Sequence, residues 1–325
     1  MSTSTATSRR NGIAIARAAV ADLCDRIGVA LPIEARPGAD LGIRRERRLP
    51  LPPRAVLLPT GDGWVHPGPP TVWPTFADMV IALGATPPRS DDEFPDLRSL
   101  AAGAIDAEAG AWMLPAVAVR TQPAPAPRVP RSVDASVLRG ATVVVLGTAW
   151  ATPLIGLVLA RLGARVTRVE HPARVDPFPL RHQLARGQSR LALDLGHERH
   201  RDRFTRLLAS TDLLVDGHTP RVLANADLAD DRLRFEVPGL AVLRLAAFID
   251  DDRPGYGPAA ECRGGWAARH DPPRLGRSSV ADPVAGMLGA LACAELLTAG
   301  APGSTRGRVT LEHAVGHLLA VDGSR

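Results

Sequence analysis

Few groupings in this chain have the residue types and spacing for chemistry. His197 and His200, and His313 and His317, sit three and four residues apart, as two metal ligands on one helical face would. Neither pair has a cysteine or third histidine placed to complete a site, so no metal is expected. No serine stands in a G-x-S-x-G elbow, which argues against an α/β-hydrolase. Gly147 ends a β-branched run and Glu170 ends the next strand-like run, the outline of a dinucleotide site. A pyrophosphate cradle needs several glycines in that first turn, and Thr148-Ala149-Trp150-Ala151-Thr152 adds none. Asp282 precedes Pro283 and a long apolar segment, the place of a helix N-cap. Asp250-Asp251-Asp252 reads as a solvated turn.

The elements that must position these groups centre on Leu138–Pro172. Thr142–Leu146 is a short β-branched strand, Pro153–Leu162 is apolar at helical spacing, and Gly163 stops it. Arg165–Glu170 is a second strand. Proline near the first turn costs no hydrogen bond. This β-α-β unit implies a parallel sheet with a right-handed crossover. Arg190–Leu195, Asp212–Asp216 and Leu240–Phe248 read as further strands, with an arginine-rich amphipathic helix over His197–Ser210. Strands alternating with helices predict a doubly wound, mostly parallel α/β domain. Pro283–Gly300 carries Glu295 and several small residues, so it reads as a buried core helix and not a membrane span.

Upstream, residues 1–12 are expected to be disordered, Ile13–Ile27 is a helix stopped by Gly28, and Arg44–Arg48 is a charge run. Ala55–Leu58 is a strand, Gly61-Asp62-Gly63 a tight turn before Trp64-Val65, and Phe76–Leu83 a short helix. Residues 13–120 therefore form a smaller α/β domain. The stretch 121–137 begins with a Pro/Ala linker, TQPAPAPRVPR, which is extended and semi-rigid. Residues 138–325 form the larger domain.

A chain of 325 residues holds two such cores, and 45% hydrophobic with 22% charged residues is an ordinary globular composition. The sequence has no lysine, so its 39 basic residues are all arginine, and the net charge is only +5. With 4% aromatics and no dense basic run, nucleic-acid binding is unsupported. Cys24, Cys262 and Cys293 share no close spacing, as expected of reduced thiols in a cytoplasmic protein. The N-terminus lacks the apolar core of a signal peptide.

Leu138, Gly140, Pro153, Leu162-Gly163-Ala164 and Val169-Glu170-His171-Pro172 fall in the order and spacing of a known opening domain. With ARGQSRLALDL and TDLLVDGHTP, the stretch resembles the family III CoA-transferases. Asp62-Gly63-Trp64-Val65, Trp73, Leu83-Gly84, Asp92-Glu93-Phe94 and Leu114-Pro115-Ala116-Val117 resemble that family's later half, so the usual order of parts is rearranged here.

The resemblance implies a Rossmann-like fold, homodimers or heteromers with a related subunit, and coenzyme A as substrate and product. It implies an aspartate nucleophile that attacks an acyl-CoA, forms an aspartyl anhydride and then an aspartyl-CoA thioester, and passes CoA to a carboxylic acid. That aspartate corresponds to Asp282. The CoA contacts correspond to Ala149 and Ala151, His171, Leu193 and Gly196, and Gly217 with His218. Departures are present: Gln188-Ser189 stands where the family often has Lys-Arg, Gly196 where it has lysine, and Gly217-His218 where it has asparagine and an aromatic. Glu261 replaces a glutamine, and Gly257 replaces an acidic residue. Gly255 stands where the racemase branch has a histidine, which disfavours racemisation by that route. A non-catalytic CoA-binding or structural subunit that partners a complete transferase is the alternative.

Overall fold

A computed structural model describes residues 12–31, 56–90, 93–174, 176, 178–276, 278–299 and 305–323. The tail before Gly12, the charge run Arg44–Arg48, Ala55 and Asp92 lie outside the described residues. In chain order the elements are α1 (Gly12–Ile27), β1 (Leu58–Pro59), β2 (Trp64–His66), α2 (Trp73–Ala82), α3 (Ala102–Ala111) and β3 (Val117–Ala118). Then follow β4 (Thr142–Leu146), α4 (Ala151–Arg161), β5 (Arg165–Glu170), α5 (Arg181–Leu184), β6 (Ser189–Ala192), α6 (Glu198–Leu208) and β7 (Leu213–Asp216). The chain closes with α7 (Pro220–Asn225), α8 (Asp230–Glu236), β8 (Ala241–Ala246), α9 (Gly257–Arg263), α10 (Ala281–Thr298), β9 (Arg306–Thr310) and α11 (Leu311–Asp322).

Six strands form one parallel sheet in the order β6-β5-β4-β7-β8-β9. The order reverses between β4 and β7, as in a doubly wound fold. Alternate residues of each central strand serve opposite cores. Val143, Val145, Leu213, Val215, Leu243 and Leu245 pack with α1, α4, α10 and α11. Val144, Leu146, Leu214 and Val242 pack with Phe204, Leu223 and Leu233 of α6, α7 and α8. Burial on both faces explains why β4 and β8 read as almost unbroken apolar runs.

The smaller unit is a three-stranded antiparallel sheet, β1-β2-β3, with its own core around Phe76, Met79, Val80 and Ile105 of α2 and α3. Helix α1 was expected to belong here from its place in the chain. Its stripe Ile15, Ala16, Ala19, Val20 and Leu23 instead joins the larger core beside α10. Pattern sets which face a helix buries, not which neighbour buries it. α10 is long and apolar enough to cross a membrane by length and composition, and 67% of it is buried inside the protein.

The Pro/Ala stretch is extended, as expected, but strapped to the larger domain. Arg120 N–H donates to Cys262 O (3.0 Å), Ala124 N–H to Gly264 O (3.0 Å) and Arg26 Nη1 to Pro130 O (2.9 Å).

Candidate active site

The C-terminal ends of β4, β7 and β8 open onto one cleft of about 310 Å³. Its walls are the turn after β4 (148–152), the turn after β7 (217–220), the end of β8 (244–247), the segment 252–256, and Asp282. Ligands bind at this place in doubly wound sheets, because the loops diverge where the strand order reverses. Two glycines let the walls close. A Cβ at Gly217 would lie 2.1 Å from Thr152 Oγ1, and one at Gly147, whose φ is +151°, would lie 2.7 Å from Thr152 Cγ2.

Asp282 is in the first turn of α10, not at its N-cap; the N-cap is Val280, whose side chain cannot cap. The capping comes from across the interface. Glu261 of α9 accepts hydrogen bonds at Oε1 from Ser279 Oγ (2.8 Å), Val280 N–H (2.8 Å) and Ala281 N–H (3.3 Å). A carboxylate there satisfies donors that a helix start leaves open. Asp282 is thus relieved of capping and takes its place in the cleft wall. Burial raises its pKa above the ordinary aspartate value, against the lowering effect of a hydrogen bond with Ser279.

Gly257 explains its own departure from the family pattern. A Cβ there would lie 1.9 Å from Ser279 Oγ and 2.1 Å from Asp282 Oδ2, so the backbone of α9 rests directly on the Asp282 carboxyl. Burial also raises Glu261 to about 7, opposed by its hydrogen bonds from Ser279, Val280 and Ala281 and reinforced by the Asp282 charge.

A second constellation lines the same cleft. Asp216 is fully buried at the end of β7. Its Oδ1 accepts from His218 N–H (3.0 Å) and faces His218 Nδ1 at 3.2 Å, while Oδ2 accepts from Arg244 Nη1 (2.7 Å). Arg244 also donates to Asp230 Oδ1 (2.7 Å). The loop between β8 and α9 is held by arginines. Arg263 pairs with Asp250 (2.5 Å) and Asp251 (2.9 Å), and Arg308 with Asp252 (2.9 Å). The three aspartates expected in a solvated turn pair with arginines distant in sequence; Asp250 and Asp252 stay mostly exposed, as expected, and only Asp251 is largely covered.

Of the residues singled out from sequence, the cleft gathers Asp282, Ala149, Ala151, Gly217 and His218. Ala149 has a left-handed backbone, φ +66°, and donates its N–H to Asp176 Oδ2 at 3.0 Å. His171, Leu193 and Gly196 are not among the residues lining it. His171 Nε2 lies 3.4 Å from Asp194, Gly196 N–H donates to Asp194 Oδ1 (2.9 Å), and Leu193 is buried in the core beneath α6. Of the histidine pairs, His197 and His200 stack edge to face with centroids 5.9 Å apart, and His200 Nδ1 accepts from Asp194 N–H at 3.0 Å. Among the described residues, no cluster of three His, Cys, Asp or Glu could hold a metal ion. Sequence reading did not assign Asp216 or Arg244 to the site. The signals were there, since Asp216 ends β7 and Arg244 is its partner in register within β8, both buried strands where a charge needs a partner.

A doubly wound sheet with a half-buried carboxylate and a histidine facing one cleft at the strand-order reversal defines a ligand-binding α/β protein with groups fit for acyl transfer. Residues 138–309 match CoA-transferase family III, and the chain belongs to that family. It is 29% identical over 185 residues to a succinyl-CoA–D-citramalate CoA-transferase of Chloroflexus aurantiacus, a match covering 50% of this chain and 44% of that protein. It is 35% identical over 112 residues to the human alpha-methylacyl-CoA racemase, covering 34% of this chain and 28% of the racemase. A crystal structure of a hypothetical protein from Mycobacterium tuberculosis shares the fold with a TM-score of 0.51 at 23% identity, over 60% of this chain and 58% of that one. The matches to the curated relatives thus span less than half of those relatives' length.

Proposed function

We propose that the protein moves CoA from an acyl-CoA to a carboxylic acid, with Asp282 as nucleophile. The observation that carries this is the freeing of Asp282 from capping: Glu261 takes the helix N-terminus, and the Asp282 carboxyl borders the cleft with the Gly257 backbone and Ser279 beside it. Attack of its Oδ on the thioester carbonyl forms a C–O bond, breaks C–S and releases CoA as a thiolate. The thiolate then attacks the aspartyl carbonyl of the anhydride, giving aspartyl-CoA and the free acid. An acceptor carboxylate attacks in turn, and its own anhydride is opened by CoA, regenerating Asp282.

The turn residues Thr148, Ala149 and Gly217 line the cleft and allow a close approach suited to the pantetheine arm. The relatives' names support acids of the succinate, malate or citramalate kind as substrates. Racemisation is less favoured. A Cβ at Gly255 would lie 2.5 Å from Ala247 Cβ and 2.7 Å from Phe248 Cζ, so no histidine fits there.

A second reading, a subunit that works with a related chain, is favoured by relatives named as alpha and beta subunits of a succinyl-CoA–L-malate CoA-transferase. The test is peptide mass spectrometry after incubation with acyl-CoAs and hydroxylamine, which turns an activated aspartyl group into a hydroxamate. A label at Asp282 that needs acyl-CoA and vanishes in Asp282→Asn is expected. CoA binding without any label would move the reading to the non-catalytic subunit.

A further inference from the structure

Transfer of CoA from one carboxylate to another moves no net proton, because a thioester and a carboxylate become a thioester and a carboxylate. A base is therefore not required by the reaction proposed above. Yet the cleft contains one that is built with care. The buried Asp216 carboxylate, fixed by Arg244 at 2.7 Å, is acceptor-only toward His218 Nδ1 at 3.2 Å. An acceptor at that place favours the neutral tautomer that carries its hydrogen on Nδ1, in which Nε2 keeps its lone pair. The His218 side chain keeps 33% of its surface open, on the wall of the cleft that Asp282 also borders. Its backbone N–H donates to the same carboxylate at 3.0 Å, which holds the turn after β7 against Asp216. A buried acid orienting an imidazole toward an open cleft is the arrangement of a general base and its positioning residue.

We infer that His218 is a general base for water, so that the site also hydrolyses acyl-CoA, with Asp216 as the positioning residue. The inference rests on Asp282 being the nucleophile. Asp282 takes the acyl group as above and CoA leaves as its thiolate. Water then gives a proton to Nε2 of His218 while its oxygen bonds to the acyl carbon. The C–O bond to Asp282 breaks and the Asp282 carboxylate returns. The imidazolium passes its proton to the thiolate. One thioester and one water become one carboxylic acid and one thiol, with no oxidant or further reactant.

The test compares the wild-type chain with His218→Gln and Asp216→Asn on acetyl-, butyryl- and succinyl-CoA. Thiol release without an acceptor acid gives hydrolysis, CoA exchange into an added acid gives transfer, and the hydroxamate at Asp282 is followed in parallel. General-base catalysis contributes about 100-fold or more, so the ratio of hydrolysis to transfer should fall by that factor in His218→Gln, and also fall in Asp216→Asn. A structural role would lower both rates and leave their ratio unmoved. If Asp282 is labelled but thiol release is absent, or its ratio to transfer is unchanged in His218→Gln, this inference is wrong and the Asp282 reading stands. If thiol release depends on His218 while Asp282 is never labelled, the acyl-aspartate route fails and the nucleophile assignment with it. Absence of label, transfer and hydrolysis together overturns both.

Discussion

At the scale of single residues, Glu261 carries a cost that its neighbours only partly offset. Its pKa is raised from 4.5 to about 7, mainly by burial, so the folded protein holds a proton that the unfolded chain gives up between those values. Stability from this group is complete below pH 4.5 and is lost as pH rises through 7. The shift corresponds to on the order of 3 kcal/mol at most. Glutamine keeps an oxygen for Ser279 Oγ and the two backbone donors and removes the charge. Glu261→Gln is therefore expected to match the wild type in denaturant midpoint near pH 4 and to exceed it near pH 8. Equal midpoints at both values would mean that the carboxylate is solvated in a way its 2% exposure denies. Gly257→Ala acts on the neighbouring carboxyl, since its methyl needs the space of Asp282 Oδ2. A misplacement of about 1 Å is worth about 100-fold in rate, so hydroxamate formation at Asp282 should drop by that order. Retention of wild-type labelling would place the carboxyl elsewhere.

At the scale of elements, strands and helices were legible where burial makes them apolar and proline or glycine marks their ends. β4 and β5 lie where the sequence placed them, and α10 differs only at its ends, Ala281–Thr298 in place of Pro283–Gly300. β9 was not read. Its RGRVT is short, holds a glycine and lies at a sheet edge where little is buried, so its brief alternation is too weak a strand signal. The cap on α10 was equally hidden, because Glu261 is remote from it in sequence and reaches it only through packing. The strap over 121–131 shows what proline content leaves unsaid. Proline sets extension, but glycines on other elements decide where the strap lies. A Cβ at Gly316 would lie 2.3 Å from Pro125 O, and one at Gly265, φ +87°, 2.8 Å from Gln122 O. Gly316→Val should push the strap off α11 at a cost of about 1–3 kcal/mol. Limited proteolysis should then cut within 121–131 faster than in the wild type, and unchanged cleavage would show that the strap is not held by this contact.

For the whole molecule, the small sheet and the large one meet at an arginine that sequence reading passed over. Arg253, 3% exposed, donates Nη1 to Asp106 O (2.9 Å) and Ala116 O (3.0 Å), and its Nη2 pairs with the Asp106 carboxylate. Its guanidinium lies 5.3 Å from the centre of the Phe248 ring, and that of Arg263 4.8 Å from it. Arg253 also borders the cleft, so the bonds that dock α3 and the residue before β3 are continuous with the wall of the site. Composition offered 39 arginines with no means of telling a buried tie from a solvated charge. The distinction depends on which carbonyls and carboxylates the fold brings to each one. Removing one partner of a buried ion pair costs about 3–5 kcal/mol, because the other charge is left desolvated. Arg253→Ala is expected to lose stability of that order and to convert one cooperative urea transition into two, as the β1-β2-β3 unit parts from the parallel sheet before either core melts. Fluorescence would follow Trp64, Trp73 and Trp112 in the small unit against Trp150 and Trp266 in the large one. A single transition at the wild-type midpoint would mean that the apolar contact between the units, and not this arginine, holds the wall of the cleft in place.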